Sequence, residues 1–263
     1  YEKMLSHDFT ILANLNYSSA RNEVIFADEA AKPDDYAYKY RMTGYEIGQI
    51  WGYITDDGYY KSQEEIDNSG LTYGVGKTPR PGDLIIRDLN GDKVIDEKDI
   101  APIRHSTVPR HTWGAAISVS HKGFDLSVLF QGHFDVGSGS NSFAWEWYDF
   151  RDYHENAWTA ERAANGENIT FPALSQTQSF SELGNTFFSE NKSYVRLKSL
   201  EVGYSLPERI SNKIGSSRIR FYLNGLNLFT WDKMKFNSYD PELASQDTYP
   251  IQRIFNSGIN INF

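Results

Sequence analysis

Residues 8–18 read DFTILANLNYS, with Phe9, Ile11, Ala13, Leu15 and Tyr17 on one parity and Thr10, Asn14 and Asn16 on the other; Leu12 is the exception. A period of two marks an extended strand with one apolar and one wet face. The length is as informative, because a tilted strand needs about 9–11 residues to cross a bilayer. The pattern returns in FDLSVLFQG, where Phe124, Leu126, Val128 and Phe130 alternate with Asp125, Ser127, Leu129 and Gln131. It closes the sequence in IFNSGININF, with Phe255, Ile259, Ile261 and Phe263 opposite Asn256, Asn260 and Asn262.

Six strands are predicted, at about 8–18, 114–121, 124–134, 193–206, 217–230 and 254–263. If they alternate in direction, the long connections 19–113, 135–192 and 231–253 all fall at one end. The short ones, at 121–124 and 207–216, fall at the other. Short turns on one side and long loops on the other characterise outer-membrane barrels. A soluble sandwich has no reason to segregate its loops in this way. Two strands break the pattern. In 193–206, Arg196 and Lys198 share parity with Leu200, Val202 and Tyr204; in 218–230 the apolar phase moves from Ile219, Phe221 and Leu223 to Leu226 and Leu228. Either a β-bulge re-phases these strands, or their upper parts stand above the bilayer.

Composition narrows the function classes. With 17 Tyr, 16 Phe and 6 Trp in 263 residues, the chain is aromatic, yet its mean hydropathy is polar. Alternating lipid-facing and lumen-facing residues produce that combination, as does a secreted β-sandwich. The absence of cysteine excludes disulfides, cysteine-ligated zinc and thiol catalysis. A net charge of −9 argues against a nucleic-acid partner. No run of 18 apolar residues forms a membrane helix. The opening YEKMLSHDFT lacks Met and a signal-peptide pattern, so it reads as a mature, truncated or cleaved end.

Residues 88–99, DLNGDKVIDEKD, carry the spacing of a calcium loop. Asp88, Asn90, Asp92, Asp96 and Asp99 place side-chain oxygens at positions 1, 3, 5, 9 and 12, Val94 offers a backbone carbonyl at 7, and Ile95 is the apolar anchor at 8. Lys93 stands where glycine normally makes the sharp turn, and Asp99 replaces the bidentate glutamate. The expectation is a structural Ca2+; the alternative is an acidic turn held by its own side-chain hydrogen bonds.

Trp145, Trp147, Tyr148 and Phe150 form an aromatic cluster in the 135–192 loop. Such faces stack on sugars or partner proteins, or pack within the loop itself. His105, His111, His133 and His154 have no metal spacing, no pair of carboxylates stands out, and VGSGSNS lacks the context of a nucleophile elbow or phosphate cradle. No catalytic residue is nominated.

Taken in order, GYEIGQIWGYITDDGYYKSQEEI (44–66), PGDLIIRDLNGDKVIDEKD (81–99), the Pro109-to-Gly114 step, FDLSVLFQG (124–132), SYVRLKSLEVGYSLP (193–207), NGLNLFTW (224–231), YDPE (239–242), YPIQR (249–253) and the final G-x-N-x-N-F resemble the C-terminal portion of SusC/RagA-like TonB-dependent outer-membrane transporters. The resemblance implies an all-β, antiparallel transmembrane barrel of 22 strands, of which these would be the last six. The N-terminal plug and TonB-contact segment are not matched in these residues. Two open sheet edges are untenable in lipid, so the remaining barrel strands must be supplied elsewhere.

The resemblance further implies import of glycans or peptides across the outer membrane of a Gram-negative bacterium. The partners would be a SusD-like lipoprotein, TonB through the plug, membrane lipid and the oligosaccharide or oligopeptide itself. No enzymatic activity is implied. Terminal Phe263 resembles the signal read by outer-membrane assembly machinery. The competing expectation is a secreted, calcium-stabilised β-rich carbohydrate-binding module.

Overall fold

A computed structural model describes residues 2–6, 9–140, 150–236, 239–243 and 248–263, with the backbone alone at 2–6, 140 and 214. Seven strands form one antiparallel sheet in chain order: β1 Glu2–Ser6, β2 Phe9–Ser19, β3 His111–His121, β4 Phe124–Phe134, β5 Tyr194–Ser205, β6 Arg218–Asp232 and β7 Ile254–Asn262. Each strand pairs only with its predecessor and successor, the meander of a barrel wall. Four further ladders are two-stranded and lie within the long connections. Among the described residues no second sheet covers either face of the large one.

The sequence pattern gives six strands where the sheet has seven. β1 reads EKMLS and sets Met4 beside Leu5, so five residues carry no alternation to detect. The other six lie where the pattern places them, with bounds moved by a few residues. Direction alternates along the sheet, so the three long connections rise from one end, as expected. At the opposite end Lys122 (φ 49) and Gly123 (φ 88) close the β3–β4 hairpin. Two consecutive residues at positive φ are what a two-residue turn matched to strand twist demands.

The broken phase of 193–206 is a bulge. Leu200 pairs with Val128, yet Leu197 pairs with Phe130, so Lys198 is the extra residue on β5. Tyr204, Val202 and Leu200 therefore share a face with Leu197 and Val195, while Arg196 turns to the polar side. On the next strand Leu226 pairs with Ser199 and Phe229 with Leu197. Asn227 (φ 53) and Leu228 span the same irregularity, and Leu228 is buried over Gly225, where a Cβ would lie 2.6 Å from Leu228 Cδ2. β6 keeps one parity throughout, so Leu226 and Leu228 are local exceptions.

Most of the buried core lies in the loops. Leu84, Ala157, Phe171, Phe188 and Phe236 form one cluster, flanked by Tyr59, Tyr153 and Phe187. Tyr53, Ile86, Ile95 and Phe180 form a second. These residues come from all three long connections, which fuse into one layer. Phe171 has five ring neighbours among the described residues, Tyr153, His154, Phe187, Phe188 and Phe236, with centroids 4.7 to 6.0 Å away. Buried polar groups tie the same segments together. Ser181 Oγ donates to Asp83 at 2.6 Å while accepting from Leu84 N, and fully buried Asn185 accepts from Phe187 N and Phe188 N. Glu190 accepts from Lys235 N at 2.7 Å and Phe236 N at 2.9 Å, which fastens the third connection to the second.

Candidate functional site

Strand register places an aromatic row at each end of the apolar face. Near the short turns, Phe9, His121, Phe124, Tyr204, Phe221 and Ile259 are successive cross-strand partners. Near the loops the row is Tyr17, Trp113, Gly132, Val195 and Trp231. Gly132 leaves room for the indole of Trp113, since a Cβ there would stand 2.5 Å from Nε1. Trp113 then stacks on Phe134, and Phe229 on Trp231.

Between the rows the face carries aliphatic and small residues: Ile11, Ala13 and Leu15 on β2, Val119, Ile117 and Ala115 on β3, Leu126 and Val128 on β4. Many are exposed, Leu15 at 76% and Leu223 at 65%. Phe9 and Tyr17 stand eight residues apart on β2, about 26 Å at the usual rise. A strand tilt of about 40° reduces that to a height of about 20 Å, on the scale of the lipid-facing band of outer-membrane barrels.

The opposite face is polar and carries a network of charged groups. Arg220 Nε donates to Asp125 Oδ1 at 3.0 Å, and its Nη2 donates to Asp125 Oδ2 and, at 2.7 Å, to Glu201 Oε1. To reach Asp125 on β4 from β6, the guanidinium crosses β5 at Gly203, where a Cβ would stand 2.3 Å from Nη2. Asn224 donates to Glu201 at 3.2 Å and accepts from Asn256 at 3.0 Å, which extends the network to β7. Ser118 and Ser127 are hydrogen-bonded at 3.0 Å on the same face.

Toward the loops the polar face receives the YDPE segment. Arg196, fully buried, donates to Thr230 Oγ1 at 2.9 Å, to Glu242 Oε2 at 2.8 Å and to both oxygens of Asp240. Gln131 and Tyr194 donate to the other oxygen of Glu242. Residues 239–243 are thereby fastened to the polar face of the sheet. YDPE is visible in the sequence as a motif, but nothing there pairs it with an arginine on another strand.

The acidic loop forms a compact turn. Lys93 adopts φ 65 at the sixth position, the conformation glycine would supply. Ile95 is fully buried in the second cluster, and Val94–Ile95 pairs with Thr72–Tyr73. The carboxylates serve the backbone. Asp88 accepts from Gly91 N and Lys93 N, and Asp92 from Val94 N. Asp96 and Asp99 form a reciprocal cap, and fully buried Asp99 also accepts from Leu89 N. Burial raises the Asp99 carboxyl above its usual range. Lys98 lies 2.8 Å from Asp35 and 3.5 Å from Asp92. Among the described residues no three carboxylate or imidazole groups converge to hold a metal ion.

Of the aromatic cluster, Trp145, Trp147 and Tyr148 lie outside the described residues. Phe150 is 65% exposed, with its ring 5.4 Å from that of His154. It borders a cleft of about 750 Å³ in the loop layer that also includes Trp158. Sequence reasoning missed Trp158, which stands alone without pattern. His154 is buried among Tyr153 and Phe171 and accepts from Arg151 N at 3.0 Å.

No protein-family model matches the chain. Receptors of Formosa agariphila are similar to it in sequence. TonB-dependent receptor P3 is 25% identical over 294 residues, covering 98% of this chain and 27% of the receptor. TonB-dependent receptor P26 is 28% identical over 233 residues, covering 78% and 22%. This chain is a homologue of TonB-dependent receptors. It spans about a quarter of the length of the receptors it matches.

Solved transporter structures share the fold. The RagAB peptide transporter superposes with a TM-score of 0.66 at 20% identity, over 100% of this chain and 28% of that one. The RagAB peptide importer in its open-open state gives 0.62 at 21% identity, over 100% and 27%. The seven-stranded sheet thus matches part of the barrel in those chains, with one face apolar and the other polar.

Proposed function

We propose that the chain forms part of the wall and the external loop layer of a TonB-dependent importer of oligomeric nutrients, glycans or peptides, in the outer membrane. The observation that carries this reading is the open sheet itself. It presents an exposed apolar face bounded by two aromatic rows and a polar face with a network of charged groups, with every long loop at one end. Water would disfavour so much exposed aliphatic surface, whereas lipid accommodates it. Strands outside this sequence close both edges of the sheet, because an unpaired edge in hydrocarbon costs several kcal/mol per backbone group, by order of magnitude. A SusD-like lipoprotein docks on the loop layer, and TonB acts through a plug carried elsewhere in the protein. The support for both partners is the likeness to receptors and importers of this type.

The test is fractionation of native outer membranes, electrophoresis with and without boiling, and uptake of labelled oligomers with and without TonB. The reading expects a heat-shifted outer-membrane band and TonB-dependent uptake. A soluble protein without a heat shift would overturn it. Within this reading the 88–99 loop takes a structural calcium ion. Support comes from the spacing of its six oxygen-bearing positions and from the left-handed turn at Lys93.

A further inference from the structure

We propose that the cleft beside Trp158 is a binding subsite for a positively charged side chain carried on an oligopeptide. The inference rests on the import reading above and narrows its substrate class.

The indole is seated against its neighbours. Trp158 N donates to Phe171 O at 2.8 Å, setting the backbone. One side of the ring lies against Gly82, where a Cβ would stand 2.4 Å from Cε3 and 2.6 Å from the Ala173 Cβ. Gly82 has φ 92, so both its conformation and its missing side chain are needed there. Two clefts, of about 750 and 450 Å³, meet at this tryptophan. The larger has the size of a small-ligand site and is lined by Phe150 as well as by the indole.

The charges in the larger cleft do not balance. Arg80 donates to Leu174 O at 2.9 Å and lies 3.9 Å from buried Asp83. Arg162 donates to Ala157 O at 3.0 Å and lies 3.6 Å from Glu167. Both cations are therefore engaged. Glu155 and Glu161 line the same cleft, and their side chains form no hydrogen bond or ion pair among the described residues. In the larger cleft, which Lys61 of the smaller one does not line, what remains without an ion pair is negative charge beside an aromatic face. A lysine or arginine of a ligand would meet both, through the ring quadrupole and through a carboxylate. An anionic glycan would be repelled, and a neutral sugar would use the indole but leave the carboxylates without a partner. The chain's net charge of −9 steers a cation in the same direction.

The test uses the intact protein from outer membranes and calorimetric titration with alanine-based peptides differing only in a central Lys or Glu, with cellohexaose as a neutral probe. The Lys peptide is expected to bind about tenfold more tightly than the Glu peptide, the scale of a desolvated cation–π contact. The double variant Glu155→Gln/Glu161→Gln should remove that preference, and Trp158→Leu should weaken Lys-peptide binding while Trp158→Phe retains it. An unchanged heat shift on gels verifies folding of each variant. Equal binding of the two peptides, a Lys preference that survives the double variant, or Trp158-dependent binding of cellohexaose alone would overturn the assignment. The import reading fails separately. If uptake is TonB-dependent but the peptides bind alike, only the cleft assignment falls; if uptake does not need TonB, the import reading falls whatever the peptides do.

Discussion

The guanidinium of Arg196 holds both carboxylate oxygens of Asp240, 44 residues away in sequence, at 2.5 Å each. Arg196 belongs to the wall and Asp240 to the last long loop, so this pair decides where that loop rests. Breaking a buried ion pair by removing one partner costs about 3–5 kcal/mol, because the other charge is left uncompensated. Asp240→Asn should therefore free the loop, seen as rapid proteolysis between Asp232 and Ile254, while the heat shift of the barrel persists. Proteolysis at the wild-type rate would show that Glu242 and Thr230 suffice.

Gly203 is where one side chain passes over a strand. Gly203→Ala puts a methyl group 2.3 Å from Arg220 Nη2 and 2.5 Å from Asp125 Oδ2. Overpacking of this kind costs about 1–3 kcal/mol. The variant should lose its heat-resistant gel form at a lower temperature than the wild type. Gly139, with open space around its Cβ position, serves as a control for replacing a glycine by alanine.

Lys93 bears a backbone conformation that costs an L-residue about 1–2 kcal/mol. Lys93→Gly should raise the melting temperature of the loop layer, followed by tryptophan fluorescence. If the loop takes calcium, EDTA should lower that temperature and Asp88→Asn should abolish the effect of the chelator. A melt indifferent to EDTA in the wild-type protein would leave an acidic turn held by its own backbone.

Glu190 carries a pH-dependent contribution. Burial raises its carboxyl above the usual range, against the opposing hydrogen bonds from Lys235 N and Phe236 N and the charges of Lys235 and Arg104. A raised folded-state value means that the group's stabilisation is complete below the ordinary carboxylate range, near pH 4.5. It is lost as pH rises through the folded-state value. Wild-type melting temperature relative to Glu190→Gln should therefore fall as pH is raised from about 4.5 toward neutrality. A constant difference between the two proteins would remove Glu190 from the pH response.

Much of the wall was legible in the residues. Alternation in 8–18 and 124–134 located β2 and β4 because a strand exposes its faces with period two, whichever solvent each face meets. The Lys122-Gly123 turn set the hairpin register, and loop lengths set the polarity of the sheet. Ile95 announced itself as the buried anchor of its loop through spacing alone. These are local signals, carried by residues a few positions apart.

Tertiary structure decided the rest. The extra residue at Lys198 is a property of two paired strands, so the sequence offered a bulge and a rise above the bilayer without choosing. The reach of Arg220 across Gly203 and the seating of Asp240 on Arg196 join segments that periodicity cannot relate. The loop layer followed the same rule. Phe171, Phe188 and Phe236 read as scattered aromatics because no repeat spaces them, and only the packing of three long loops brings them together. The sequence by itself determined which faces are apolar and where the chain turns, since those depend on local geometry. Which side chains meet across strands and loops was settled by the folded chain, because contact there depends on register and packing rather than on spacing along the backbone.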